Sequence, residues 1–294
     1  MTTPATQTSP NSPTSSGAPA AAHPNVSAKA ESALPTVAKM PSRLPGERPT
    51  TGIPFSRLTR VELRKQLDTR AGRWLIIAIG LVIGAALAIN FFTDGGEHSF
   101  EDYLSATMLP TAIILPVIGI LAVTSEWSQR TGLVTFALEP RRTRVAMAKL
   151  VSALLIGVAA FVLAFALAAL VHQAAITFRG IDGDWSVGGL VVLGAGLYVL
   201  LGLMQGVAFG ALFRNTPAAI VVYFVLPTVW GILGGLISWL DTPSKWLDMN
   251  RTMQPLFGGD LTGEQWAQLG TSVAVWVVLP LVVGIALLRR AEVK

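Results

Sequence analysis

The chain has 294 residues, 52% of them hydrophobic and 13% charged, with a formal charge of +5 and no cysteine. Spread evenly, the charges would recur about every seven or eight residues, yet six stretches hold none: 74–93, 103–125, 150–178, 185–213, 215–240 and 265–288. A water-soluble domain is excluded, because a helix facing water needs a polar side, and the missing thiols exclude disulfide scaffolds, thiol nucleophiles, zinc-thiolate sites and iron–sulfur clusters.

Residues 1–55 contain 10 Pro, 8 Thr, 7 Ser and 9 Ala, with Phe55 the only aromatic. Such a segment cannot bury enough surface to offset its ordering entropy, so it is expected to be a disordered tail. It lacks the apolar core of a signal peptide. A docking tail and a dispensable extension both fit, and the composition favours the second.

Order is predicted to begin with Ser56 as the N-cap of a helix over Arg57 to Arg73. Leu63, Leu67, Ala71 and Trp74 fall on one side, and Arg57, Arg60, Arg64, Lys65, Arg70 and Arg73 on the other. This is the pattern of an interfacial helix on an anionic leaflet, with Arg60, Arg64 and Lys65 on its basic side and Trp74 at its end. The rest of 56–294 is read as one all-α domain with six spans, about 74–93, 104–124, 150–177, 188–213, 217–240 and 268–288. Each reaches the roughly 20 apolar residues that a bilayer crossing requires.

Lysine and arginine set the orientation. If every run crosses once, one side receives 1–73, 126–149, Arg214 and 289–294, with 19 of the 22 basic residues. The other side receives 94–102, 179–184 and 241–264, with Arg179, Lys245 and Arg251 against ten acids. The positive-inside rule then places both termini in the cytoplasm, and the protein is expected in the plasma membrane. The segment 241–269 is expected to include a short helix at the outer surface.

Within the spans the strongest polar residues are Asn90, His172, Gln173 and Gln205. No acid or guanidinium lies at depth, which argues against an ion-coupled secondary transporter. His172 is read as an interfacial histidine, solvated or paired with Gln173, in preference to a proton relay. Gly202, Gly206 and Gly210 recur every four residues around Gln205, a spacing that lets helices approach closely, so packing is favoured over substrate contact. Pro110, Pro116, Pro227 and Pro280 are expected to kink spans two, five and six. The motifs of metal, aspartyl and serine intramembrane proteases are missing, and no lysine follows a glycine, so there is no P-loop. The chain is not expected to be an enzyme or to bind a cofactor, metal or nucleic acid.

The loop Ser125 to Leu150 carries the most information. Trp127, Leu133, Phe136 and Leu138 offer apolar contacts, and Glu139 and Pro140 end a first helix because proline disfavours helix in the residue before it. A second helix starts near Thr143 and merges with span three. A short apolar-edged helix held between two spans is something a partner protein can grip. Glu126, Thr131, Pro140, Arg144 and Lys149, together with the run Glu62 to Lys65, resemble the permease subunits of ATP-binding-cassette transporters of the type-two export class. Arg130 departs from that pattern, since many members carry glycine before the threonine. The resemblance covers about 57–294 and implies an exporter working by alternating access. It implies a second permease chain and partner ATPase subunits that hold ATP and magnesium. Glu126, Trp127, Arg130, Thr131, Phe136, Pro140 and Arg144 would then couple the chain to the ATPase. The other reading is a non-transporting membrane scaffold or regulatory subunit.

Overall fold

The computed structural model describes residues 53–93, 99–129, 135 and 137–290. The expected tail, apart from its last three residues, lies outside them, as do Arg130, Thr131, Leu133 and Phe136 of the coupling loop. Of the described residues 88% are helical and none is in a strand.

Helix α1 (Phe55–Asp68) leads into α2 (Arg70–Phe92), α3 (Phe100–Ser128), α4 (Arg142–Arg179), α5 (Gly189–Phe213) and α6 (Thr216–Leu236). Two short helices follow, α7 (Asp241–Leu247) and α8 (Met249–Met253). The last rod is α9 (Gly263–Val273), continued through a π-helical turn at Ala274–Val278 into α10 (Leu279–Arg290). Helices α2 to α6 and the α9–α10 rod make six helices long and apolar enough to cross a membrane. The protein is therefore an all-α, multi-pass membrane protein.

The helix ends follow from local chemistry. The helix predicted over Arg57 to Arg73 is two helices, because Thr69 turns extended (ψ 146°) and its hydroxyl accepts from the Gly72 amide, capping α2. The first of them starts at Phe55, behind Pro54, so Ser56 lies inside it and is not its N-cap. Ser99 and Asp102 form a reciprocal capping box at the start of α3. Asn215 caps α6, with Pro217 in its first turn, and α4 ends on Gly180 in the left-handed conformation, φ 64°. Ahead of Pro280, which supplies no helical N–H, the rod adopts its π-turn.

In lipid the hydrophobic effect does not draw helices together, so close packing must. Helix α3 lies against α2, α4 and α5. A Cβ on Gly206 of α5 would collide with the Pro116 carbonyl of α3, and one on Gly210 would sit 2.9 Å from the Ile120 carbonyl oxygen. Gly119 gives room from the other side, where a Cβ would lie 2.7 Å from the Leu203 carbonyl oxygen. The segment between α6 and α9 packs into the bundle: Met249, Met253 and Leu256 are buried against Leu197, Tyr198, Leu201 and Met204. Trp276 holds it by donating from Nε1 to the Leu247 carbonyl at 2.5 Å, and Ser272 donates to the Trp246 carbonyl at 2.9 Å. Where the sequence predicts a short helix, this segment holds two helices and two 3₁₀ turns, anchored on α5 and the last rod.

Candidate functional site

Where α1, the last turn of α3 and the first turns of α4 meet, four charged side chains close a ring. Lys65 Nζ stands 2.8 Å from Glu62 and 2.9 Å from Glu126, and Lys149 Nζ stands 2.6 Å from Glu62 and 3.0 Å from Glu126. Signs alternate around the ring, so two carboxylates neutralise two ammoniums. Glu62, Glu126 and Lys149 are buried, while the Lys65 side chain is 40% exposed. Burial works against the Lys65 ammonium, but the hydrogen bonds and charges of Glu126 and Glu62 outweigh it and hold its pKa above the usual lysine value. Gln66 extends the network by donating to Ser152 Oγ at 2.6 Å, and Ser152 donates to the Lys149 carbonyl at 2.9 Å.

The helical period explains why these groups meet. Leu58, Glu62 and Gln66 recur every four residues and form one stripe of α1, which packs on α4 where Leu58 meets Val145 and Ala148. Of the apolar stripe, Leu67 and Trp74 are exposed, and Leu63 packs against the core. Arg60 and Arg64 are exposed as expected, but Lys65 is drawn into the ring and is not part of an outward basic side.

The ring also holds the connection between α3 and α4. Thr135 donates to Glu126 at 3.1 Å and accepts from Lys65 at 3.4 Å. Farther along, Arg144 pairs with buried Glu139 at 3.1 Å and donates to the Ile53 carbonyl at 2.7 Å, tying the residues before α1 to the start of α4. Glu139 and Pro140 are non-helical and α4 begins at Arg142, close to the break read from the sequence. Trp127 lies under the Arg214 guanidinium, 5.2 Å from ring centroid to carbon. Arg214 itself is left-handed, φ 52°, and closes α5. Leu138 is 70% exposed, and with Ile53, Arg57, Leu58 and Val61 it lines a surface groove of about 390 Å³.

The structure thus brings Glu126, Lys65 and the Glu139–Arg144 pair to one end of the bundle, with Trp127 beside them. Lys149 is one of the residues that carry the resemblance, and Glu62 stands in the quoted run to Lys65, but neither is among the residues expected to couple the chain to a partner; the ring adds both. Lys149 is a charge at the threshold of an apolar segment, and that position is the signal that could have found it; Glu62, twelve positions before the nearest such segment, carries no such signal. Two other expectations need correction. His172 is fully buried, its ring 4.7 Å from Trp185 and 5.3 Å from Tyr103; it is neither solvated nor paired with Gln173, whose amide reaches Thr177. Of the glycine series, Gly206 and Gly210 press on α3, whereas a Cβ on Gly202 would meet nothing closer than 3.5 Å.

This end of the bundle presents charge, hydrogen bonds and an apolar groove, and short ion pairs join α1, α3 and α4 there. The sequence matches no protein-family model and no curated protein.

Proposed function

We propose that the chain is the permease subunit of an ATP-binding-cassette exporter, and that α1 with residues 135–139 is the surface gripped by a separate ATPase chain. The observation that carries this reading is the ring of Glu62, Lys65, Glu126 and Lys149, which joins that surface to α3 and α4. A force applied to the surface reaches two membrane helices through contacts of 2.6 to 3.0 Å. Removing one member of such a buried pair costs about 3–5 kcal/mol, so the ring binds α1 to α3 and α4.

The charge distribution supports the same assignment. The α1 end carries most of the lysine and arginine, so it faces the cytoplasm, where ATP is available. The chain lacks a phosphate-binding glycine–lysine motif, so hydrolysis belongs to the partner, which also holds ATP and magnesium. A second permease chain completes the transporter. Cross-linking tests the reading in a chain without cysteine. Leu138→Cys, isolated from native membranes with a short thiol-to-amine linker, should be joined to a P-loop-bearing protein, while Asp182→Cys should not. Finding that protein on neither position, or equally on both, would remove the proposed docking surface.

A further inference from the structure

At mid-depth between α3, α5 and α6 lies a second cavity, of about 400 Å³, closed on one side by Asn250 and Met253 of α8. Gln205 lines it, is only 3% exposed, and bonds to no described residue; its Nε2 is buried without a partner. An unpaired buried amide is costly, and in lipid no water relieves it. Glutamine is needless here for packing, since Gly206 and Gly210 already make the close contact with α3.

The walls add acceptors. Pro116 and Pro227 both line the cavity and neither has an N–H, so the carbonyls of Ala112 and Tyr223 receive no helical bond from them. Ala112 and Tyr223 line the same space. Among the described residues no acid, lysine, arginine or histidine does, while Ile113, Val199 and Phe224 supply apolar surface. The cavity opens between α3 and α6, where Leu109, Ile113 and Thr228 are exposed.

We propose that this cavity is a binding site for an uncharged amphiphile whose hydroxyl or amide group both accepts a hydrogen bond from Gln205 and donates to the carbonyls freed by the two prolines. A charged ligand would meet no counter-ion at a depth where charge is strongly disfavoured. That this ligand is the exported cargo rests on the permease reading; the site itself does not.

Photolabelling tests the site. The full chain in phosphatidylcholine vesicles is irradiated with three diazirine probes of equal chain length: a monoacylglycerol, a fatty acid and an alkylammonium. The monoacylglycerol should label peptides covering 109–116, 198–205 and 223–228 well above the other two. Gln205→Leu should lower that labelling about tenfold, the effect of one buried hydrogen bond to the ligand, while labelling of lipid-facing α2 stays constant. Ile113→Trp fills the cavity from its exposed wall and should abolish the signal with Gln205 intact, which keeps the test decisive if Gln205→Leu does not fold. Equal labelling by all three probes, or labelling that a folded Gln205→Leu or Ile113→Trp leaves unchanged, overturns the proposal. Cross-linking at Leu138 is scored separately, so either idea can fail without the other.

Discussion

Glu62 and Lys149 approach to 2.6 Å with both side chains under a tenth exposed, so neither charge can return to water when its partner is removed. Glu62→Gln should therefore destabilise the protein by about 3–5 kcal/mol, whereas replacing Glu62 and Lys149 together with methionine should cost much less, because no lone charge is stranded. Thermal unfolding in detergent, run as a double-mutant cycle, reads the difference. Lys65 behaves differently because its pKa is raised in the folded protein. Its contribution is complete below the unfolded lysine value of 10.5 and is lost only as pH climbs through the higher folded value. Stability relative to Lys65→Met should thus stay flat from about pH 6 to 9 and decline only in strong alkali; a fall near neutrality would show that another group controls the ring. From sequence, Lys65 looked like one of six bases on an outward side. Spacing tells which residues share a face, but not which face finds partners, and the distant partners of Lys65 and Glu62 are Glu126 and Lys149, each more than sixty positions away.

At the scale of elements, the six crossings were legible because an absence of charge over some 20 residues leaves the chain few other places to be. The break at Thr69 was not legible. A threonine inside a periodic pattern gives no warning that it will cap the next helix, and the contacts that hold α1 on α4, Glu62 with Lys149 and Gln66 with Ser152, lie more than eighty positions away in sequence. Glycine spacing was an uneven guide for the same reason, since the motif shows that close approach is permitted, not that a neighbour is there. Gly206 meets α3, whereas a Cβ on Gly80 would touch nothing within 4 Å. Gly206→Val should therefore overpack the α3–α5 contact and cost about 1–3 kcal/mol or more, while Gly80→Val should leave melting unchanged. Equal losses would mean that α3 and α5 do not pack as described. Gln205 marks the limit of reading by spacing: it sits inside a packing motif, yet it lines a cavity and its Nε2 is buried without a partner.

For the molecule as a whole, sidedness follows from charge and is open to direct test. Cysteines at Ser99, Asp182 or Asp260 should react with an impermeant thiol reagent applied outside sealed right-side-out vesicles, and Thr143→Cys should not. Reaction at 143 alone would invert the protein and place the ring on the wrong side for ATP. The central claim is that the α1 end grips an ATPase, and the groove formed by Val61 and Leu138, 44% and 70% exposed, is where it is most vulnerable. The most direct measurement is the amount of P-loop subunit retained, and its rate of ATP hydrolysis, per molecule of membrane-inserted permease carrying both Val61→Asp and Leu138→Asp. The two carboxylates lie outside the spans and leave the ring untouched, so insertion should be normal, retention should fall at least tenfold, the loss of roughly 1.4 kcal/mol or more of apolar contact, and any hydrolysis that remains should be uncoupled from the permease. Retention and hydrolysis equal to the unaltered protein, at equal insertion, would contradict the account.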